Sequence, residues 1–319
     1  MFKGSKIVVT GGAGFVGVNL IRRLLDLGAD ITATLHGKSA VIPDHRIRYV
    51  PCDLTRPSDC AEVFKGADYV FMGAANTSGA AVIETKPLVH VTPNVIMNTL
   101  CLEAAYHAGV KKFLFISSNT VYPDLDHPVR EEEMMSGEVF DKYFCVAWMK
   151  RFTEIVCRMY AEKIKTPMAT VVVRPANIYG PFDDFEWETS HVVPALIRKV
   201  VERHDPIEVW GDGNDVKDLI YVEDFVEGLL LAMEKIQTFD PINIATGRPC
   251  TVKEVLSAAL QADGYTDAKI TFNTSKPTMI PKRLIDTSKA KRVLGFEART
   301  SLQEGIQRTI QWYRNKVSS

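Results

Sequence analysis

The sequence predicts an α/β fold, a doubly wound parallel sheet with a smaller C-terminal α/β domain. Three observations predict it. Strand and helix patterns alternate through the first 180 residues, a glycine-rich turn joins the first strand to the first helix, and the composition changes after Pro175. We expect a first domain over residues 1–180, with a returning segment near residues 215–246, and a second domain over residues 181–319.

The first thirty residues have the pattern strand, glycine turn, helix. Residues 6–10 are a β-branched run, residues 11–17 spell GGAGFVG, and residues 19–27 place apolar side chains at helical spacing before Gly28. Glycines in this arrangement allow a tight turn, close approach of the backbone to a pyrophosphate and close packing of helix on strand. The helix start offers free N–H groups to the phosphates. The segment therefore predicts a Rossmann domain that binds a dinucleotide.

The later elements follow from the spacing of apolar residues. Short β-branched or aromatic runs predict strands at residues 31–35, 47–50, 69–72, 112–118 and 169–175. Helical spacing predicts helices over about 94–107, 144–163, 191–202, 252–262 and 302–315. Residues 177–190, rich in Gly, Pro, Asp and aromatics, predict a loop, and residues 207–213 a sharp turn. Alternation of this kind places ligands at the carboxyl ends of the parallel strands.

The charge balance argues against several classes of partner. The 38 Lys and Arg nearly cancel the 39 Asp and Glu without a basic run, so we expect neither nucleic acid nor membrane as a partner. The sequence contains no stretch of eighteen apolar residues, so it predicts no membrane span. The cysteines show no C-x-x-C pair and no histidine at zinc-ligand spacing, which predicts free thiols, no metal and a reducing, cytoplasmic compartment. They are Cys52, Cys60, Cys101, Cys145, Cys157 and Cys250.

Six segments carry a family resemblance. Residues 10–17 (TGGAGFVG), 116–123 (ISSNTVYP) and 174–181 (RPANIYGP), with residues 190–198, 209–213 and 284–286, resemble the extended short-chain dehydrogenase/reductases that modify nucleotide sugars. Among these, the chain looks most like the GDP-fucose synthases, the epimerase/reductases of GDP-4-keto-6-deoxymannose. The resemblance implies an NAD(P)-dependent enzyme that transfers hydride at C4 of the sugar, as a dehydrogenase, reductase or 4-epimerase.

The resemblance leaves the reaction open, because one fold of this kind hosts epimerases, dehydratases, reductases and dehydrogenases. One alternative is a 3,5-epimerase/4-reductase like the GDP-fucose synthases. Another is a catalytically impaired protein that binds cofactor and nucleotide sugar without turnover. A dehydratase is disfavoured, since those enzymes usually carry Asp-Glu beside the catalytic hydroxyl, where this chain has Asn119 and Thr120.

The family's catalytic triad of Ser or Thr, Tyr and Lys is incomplete in this chain. The resemblance assigns the serine to Ser118 and the lysine to Lys150. The tyrosine belongs four residues before the lysine, where this chain has Val146, which cannot carry a proton. An engineered substitution, an enzyme that works without the tyrosine and a protein that has lost activity all stay open. The candidate proton relays are Thr120, Tyr143, Tyr179 and a water held by Ser118.

A second pair, which moves protons beside the ketone in GDP-fucose synthases, is half preserved. The resemblance places Thr120 at the family's cysteine position and His191 at its histidine position. Threonine is far too weak an acid to act unaided, which argues against epimerisation at two carbons. We expect His191 to bind or orient the sugar.

The end of the second predicted strand favours NADP(H), with NAD(H) as the alternative. NAD-preferring Rossmann proteins place Asp or Glu there to bind the ribose 2′-hydroxyl. This chain has Leu35, followed by His36 and Lys38, two potential cations for a 2′-phosphate. With the resemblance, the predicted cofactor contacts are Gly11, Gly14, Phe15, Val16, His36, Lys38, Asp53, Leu54, Ala74, Ala75, Asn94, Ser117, Lys150, Pro175, Asn177 and Ile178.

On the substrate side the resemblance favours a GDP-sugar over a UDP- or CDP-sugar. Lys217 stands where the GDP-fucose synthases have arginine, which keeps the charge but loses the fork geometry. Arg283 is a candidate diphosphate partner. The predicted substrate contacts are Asn76, Ser118, Asn177, His191, Val192, Leu196, Trp210, Lys217 and Arg283.

Family members commonly pair through two helices. The resemblance therefore implies a homodimer or higher homo-oligomer, with residues 94–107 and 144–163 as the pairing helices. Met97, Trp148 and Met159 are the apolar residues we expect at that interface.

Overall fold

The computed structural model describes residues 1–77, 88–276 and 278–318 of the 319. Its strands are β1 Lys6–Thr10, β2 Asp30–Leu35, β3 Ile47–Pro51, β4 Tyr69–Met72, β5 Lys112–Ile116, β6 Ala169–Pro175, β7 Asn177–Tyr179, β8 Ile207–Trp210, β9 Val216–Tyr221, β10 Ile242–Ile244, β11 Pro249–Thr251 and β12 Ile270–Asn273. Its α-helices are α1 Phe15–Asp26, α2 Pro57–Val63, α3 Leu88–His107, α4 Phe144–Glu162, α5 Val192–Val201, α6 Val222–Lys235, α7 Val252–Asp263 and α8 Leu302–Val317.

A parallel sheet of seven strands, ordered β10-β6-β5-β4-β1-β2-β3, forms the centre of the described residues. Its strands are continuous apolar runs because helices cover both faces. In β1, Ile7 and Val9 pack with α1 and α6, whereas Val8 packs with α2, α3 and α4. The predicted doubly wound fold is confirmed.

Residues 222–244 return to this sheet after the chain has left it. Helix α6 packs beside α1 and over β6, and β10 pairs in parallel with β6 through Ile242↔Val173 and Ile244↔Pro175. The apolar side chains of α6 and β10 belong to the same core as those of α1. The division into two domains at residue 180 stays a prediction.

A second assembly lies beyond the main sheet. Strands β11, β9 and β7 form one small sheet, β12 and β8 form another, and helices α5, α7 and α8 pack with them around a separate core. The chain crosses from the main sheet to this part at Ala176, between β6 and β7. The carboxyl end of β6 therefore lies at the junction of the two parts.

Several predicted bounds need correction. Residues 177–190 are not wholly a loop, because β7 pairs in parallel with β9 through Asn177↔Leu219. Helix α1 begins at Phe15 rather than residue 19, since Gly14 already serves as its N-cap. Helix α3 begins at Leu88 rather than near residue 94 and contains Pro93. Among the described residues, no helix is long and apolar enough to cross a membrane.

Candidate active site

The glycine turn between β1 and α1 leaves no room for side chains. Gly11 has φ +71°, and a Cβ there would lie 2.9 Å from the Cα of Ala74. A Cβ on Gly17 would collide with the carbonyl oxygen of Gly11, so the helix can start so close to the strand only with glycine there. The backbone N–H of Gly11 is held 3.0 Å from the hydroxyl of Thr34 in β2.

The start of α1 fits a pyrophosphate. Gly14 is its N-cap and contributes no side-chain hydrogen bond to the first turn, which also contains no acidic residue. The first N–H groups of a helix have no partner within the helix, so those of Phe15 and Val16 can bind an anion. The turn and helix start therefore fit the dinucleotide predicted from the sequence.

Two strand ends meet beside this turn. His36 and Lys38 are exposed after β2. Asp53, after β3, accepts hydrogen bonds from the N–H and hydroxyl of Thr55, which are the main causes of its lowered pKa, and His36 and Arg56 add a smaller electrostatic contribution. The Nε of Arg56 lies 3.3 Å from Asp53. Sequence reasoning missed Arg56, although it stands three positions after Asp53. Leu54 is buried in the core and can contact a ligand through its backbone alone.

The end of β4 is fastened to α3. Pro93 cannot donate to the carbonyl of Val89 four residues earlier, and the side-chain amide of Asn76 donates to that carbonyl instead, at 3.0 Å. The amide of the buried Asn94 accepts from the N–H of Asn76 and donates to the carbonyls of Asn76 and His90. Both amides, predicted as ligand contacts, are thus engaged in positioning the backbone. Residues 78–87 lie outside the described residues.

The other cofactor positions predicted at strand ends surround the sheet edge. Ala74 donates its N–H to the hydroxyl of Thr10 at 3.0 Å, and Ala75 is exposed. The carbonyl of Pro175 accepts from the side chain of Asn119 at 2.9 Å. Asn177 is exposed and Ile178 half-buried where the chain crosses to the second assembly.

Ser118 presents a hydroxyl that is prepared to donate. Its Oγ accepts from the N–H of Thr120 at 3.1 Å and from the hydroxyl of Thr120 at 2.9 Å. Because those contacts occupy its lone pairs, its own proton is available for a third group. Ser117 differs, since its hydroxyl is buried and donates to Glu154. A cofactor contact through the Ser117 side chain, which the sequence predicted, is therefore not supported.

Lys150 lies at the carboxyl end of β5. Its Nζ donates to the carbonyl of Ile116 at 2.8 Å and lies 4.6 Å from the ring centre of Phe115. Burial lowers the pKa of the amine to about 8, and the carboxylate of Glu154 opposes that shift. Val146, one turn earlier on α4, is half-buried.

Two of the candidate proton relays are not placed for that role. Burial raises the pKa of Tyr143 to about 12, and its charged neighbours are Arg283 and Asp215 rather than Lys150. Tyr179 is fully buried and packs against Gly305, and burial raises its pKa. Neither phenol has the lowered pKa that a lysine partner would give it. The hydroxyl of Thr120 and a water beside Ser118 remain possible relays.

Most of the predicted substrate contacts lie in the second assembly. His191 is the N-cap of α5 and keeps an exposed face, although the protein around it lowers its pKa through desolvation. Trp210, at the end of β8, is 41% exposed with Lys276 Nζ 5.5 Å from its ring centre. Val192 is half-buried. Leu196 is buried in the core, so the prediction that it lines a base pocket is not supported.

Arg283 and Lys217 are largely engaged within the protein. Arg283 is buried and donates to the carbonyls of Pro123, at 2.8 Å, and Tyr122, at 3.3 Å, but its Nε finds no partner among the described residues. Lys217 donates to the carbonyl of Ile280 and lies 3.3 Å from Asp215, while burial lowers its pKa. Each Nη of Arg283 donates to a backbone carbonyl and the Nε is buried, so the pairing of Arg283 with a diphosphate stays a prediction.

Comparison with known proteins gives a consistent family. The sequence model described as "NAD dependent epimerase/dehydratase family" matches residues 7–245. "Probable GDP-L-fucose synthase 1" of Oryza sativa subsp. japonica is 30% identical over 329 aligned positions, covering 99% of this chain and 94% of the rice protein.

Two solved structures share the whole fold. UDP-glucose 4-epimerase of Thermotoga maritima, solved with UDP-glucose, is 27% identical with a TM-score of 0.88, covering 98% of this chain and 99% of its own. The protein MoeE5, solved with UDP-glucose and NAD, is 26% identical with a TM-score of 0.86, covering 98% of this chain and all of its own.

Proposed function

Because this chain belongs to the NAD dependent epimerase/dehydratase family, we propose that it transfers hydride at C4 of a nucleotide sugar, as a dehydrogenase, reductase or 4-epimerase. It is an NAD(P)-dependent enzyme that modifies a nucleotide sugar, as its relatives are. One observation carries the C4 proposal. The glycine-lined start of α1, Ser118 and Lys150 lie at the same edge of one parallel sheet, at the ends of β1 and β5.

A nicotinamide dinucleotide bound there would give or accept the hydride at the sugar carbon. The start of α1 would hold its pyrophosphate. The proton of Ser118 would hydrogen-bond the oxygen on the reacting carbon, because Thr120 already occupies the lone pairs of that hydroxyl. His191, exposed at the start of α5, would orient the sugar from the opposite side of the junction.

NADP(H) is the proposed cofactor. His36, Lys38 and Arg56 place cationic or protonatable groups around the ends of β2 and β3, where a 2′-phosphate would lie. Asp53 is engaged by Thr55 and Arg56, so its carboxylate is partly neutralised.

Arg56→Ala should weaken NADPH binding about tenfold or more, the loss of one charge-assisted hydrogen bond, and leave NADH binding unchanged. Arg46→Ala, which removes an arginine paired with Asp44 in the connection between β2 and β3, is the matched control. Equal effects on NADPH and NADH would contradict this preference.

A GDP-sugar is the proposed substrate. Trp210 offers an exposed ring on which a base can stack. The buried side chains of Arg283 and Lys217 place two basic groups near Tyr143 and Asp215, where the diphosphate would lie. Stacking on the exposed indole ring favours guanine over the smaller pyrimidine bases, and the basic groups would serve the diphosphate that all nucleotide sugars share.

The experiment that tests the function starts with the bound cofactor. The purified protein is denatured, any released dinucleotide is identified by mass spectrometry, and GDP-, UDP-, CDP- and dTDP-sugars, including GDP-4-keto-6-deoxymannose, are screened for a change in nicotinamide absorbance. A redox change with one sugar class would support the proposal and identify the substrate. A bound dinucleotide that no sugar oxidises or reduces would favour the second candidate, a binding protein without turnover, which Val146 suggests.

A homodimer through α3 and α4 is also proposed. The two helices pack side by side, with Asn98 of α3 donating to Thr153 of α4 at 3.2 Å. Their outer faces leave large apolar side chains exposed, and contiguous apolar patches of this kind mark interaction sites. These side chains are Ile96 on α3 and Phe144, Phe152, Ile155 and Met159 on α4.

The six free cysteines support a reducing, cytoplasmic compartment.

A further inference from the structure

One face of α4 carries Val146, Lys150 and Glu154 at successive turns. Residues four apart lie above one another on a helix, so the three side chains form a column toward the end of β5. Lys150 donates to the carbonyl of Ile116 at 2.8 Å, and the hydroxyl of Ser117 donates to Glu154. Side chains on this face of α4 therefore hold two consecutive residues, Ile116 and Ser117, in place. Ser118 comes next, with its hydroxyl in the site.

Glu154 is held in place from the other side by Arg174 of β6. The Nε and Nη2 of Arg174 lie 3.0 and 2.6 Å from the carboxylate oxygens, and both side chains are almost completely buried. Arg174 also donates to the hydroxyl of Tyr122 at 2.9 Å and to the carbonyl of Glu131 at 2.7 Å. This network fixes Ser117 and the turn of α4 that follows Lys150, while the carbonyl of Ile116 and the ring of Phe115 position the amine itself.

Resting on the proposed function, we propose that the Lys150 amine is the group that donates the proton to the sugar oxygen in this chain. The phenol that would otherwise do this is absent at Val146, and Tyr143 and Tyr179 are directed to other parts of the structure. One N–H of the ammonium is used by Ile116, which leaves two for the site.

The proton step balances without a further reactant. As the carbon of the ketone receives its hydride, an N–H bond of Lys150 breaks and an O–H bond forms on the former carbonyl oxygen. The amine is left neutral and takes a proton from solvent before the next turnover. In the oxidation direction the neutral amine accepts the proton of the hydroxyl.

The surroundings of Lys150 suit this role near neutral pH. On α4 the facing groups are Glu154 and the buried thiol of Cys157, on β5 the ring of Phe115 and the carbonyl of Ile116, and beyond Glu154 the guanidinium of Arg174. Burial lowers the pKa of the amine to about 8 while Glu154 keeps it from falling further. A group with a pKa near the working pH is the most effective acid and base.

Lys150→Arg separates proton transfer from mere charge. Arginine keeps a cation that can reach Ile116, but it does not give up its proton at these pH values. We expect Lys150→Arg to lower kcat for GDP-4-keto-6-deoxymannose, or for whichever sugar the screen identifies, by about 10²–10⁴-fold. The dissociation constant for the reduced dinucleotide, measured by its fluorescence, should stay within about threefold. The Lys150→Ala variant should regain turnover with added methylamine.

A second readout does not depend on activity. The ε-methylene signals of lysine in ¹³C NMR, assigned by comparison with Lys150→Arg, should show one lysine that titrates near pH 8. The reduction rate of the unaltered protein should fall above the same pH. A Lys150→Arg rate within threefold of the unaltered protein, or a Lys150 that titrates like an ordinary lysine, would overturn the inference and leave the proposed function intact. Absence of turnover by the unaltered protein with every sugar would overturn the proposed function and the inference with it.

Discussion

Replacing Glu154 by Gln tests the buried ion pair beneath the site. The change keeps the size of the side chain but removes the charge that faces Arg174, whose remaining partners are the neutral Tyr122 hydroxyl and the Glu131 carbonyl. Glu154 and Arg174 side chains are 1% and 2% exposed, so solvent cannot compensate the guanidinium. Breaking a buried pair of this kind costs about 3–5 kcal/mol. That is a large share of the roughly 5–15 kcal/mol by which proteins are stable.

Helix α4 also supplies the control. Arg158 and Glu162 form an exposed pair 2.9 Å apart, and exposed pairs contribute about 0–1 kcal/mol. The free energies of unfolding of Glu154→Gln and Glu162→Gln are compared by urea titration with tryptophan fluorescence, at low and high salt. We expect a difference of at least about 2 kcal/mol that salt hardly changes, since buried charges are poorly screened. Equal losses for the two variants would refute the reasoning that the buried network holds α4 to the ends of β5 and β6.

Three further outcomes are expected. Gly12→Ala would place its Cβ 2.6 Å from the Cβ of Ala33 and should lower the free energy of unfolding by about 1–3 kcal/mol. A second change, Ala33→Gly, should recover part of that loss in a double-mutant cycle measured by urea unfolding. Additive losses from the two changes would contradict the contact. Burial raises the pKa of Asp183 to about 7, so between about pH 4 and 7 the folded protein keeps a proton on this carboxyl that the unfolded chain releases. The free energy of unfolding should therefore fall by up to about 4 kcal/mol as the pH rises from about 4 to 7. Asp183→Asn should flatten that fall when unfolding is measured across the pH range. Ile155→Lys, on the exposed face of α4, should convert the proposed dimer to a monomer by light scattering, whereas Ile270→Lys, also exposed but on β12, should not.

The sequence predicted the main sheet because its strands are buried on both faces. Strands β4 and β6 have the predicted bounds, since continuous apolar runs between polar turns have little freedom in register. The short strands β10 and β11, of three residues each, were not predicted. Runs that short carry no periodicity, and their place in a sheet is decided by partners distant in sequence.

The start of α3 shows why a local rule failed. Helical spacing predicted a start near residue 94, directly after Pro93, a residue type that usually ends or kinks a helix because it has no N–H to donate. The side chain of Asn76 supplies the missing donor to Val89 from another part of the chain, and the helix continues through the proline. A rule that considers neighbours in sequence cannot detect a donor that lies seventeen positions before Pro93.

The candidate site was predictable in position but less so in the use of each side chain. The family resemblance assigned Ser118 and Lys150, motif spacing predicted the glycine turn, and all three lie at one edge of the sheet. The sequence did not reveal that the side chains of Ser117 and Asn94 face inward. Which way a side chain points at the end of a strand, and which group a buried amide binds, depend on the packing of the folded protein. Glu154 was overlooked since an acidic residue on a helix is most often a solvated one.

The return of β10 to the edge of β6 has a consequence for biosynthesis. When Pro175 has been synthesised, the cofactor-binding sheet still has an open edge at β6 and lacks the cover of α6, both of which are supplied by residues 222–244. At typical synthesis speeds this interval lasts on the order of ten seconds. A nascent chain in that interval presents an unpaired strand and an apolar sheet face, the features that promote association with other chains. The nucleotide-binding sheet of this enzyme is thus still incomplete when its first six strands have been translated. Chains arrested near residue 180 should depend on chaperones to stay soluble.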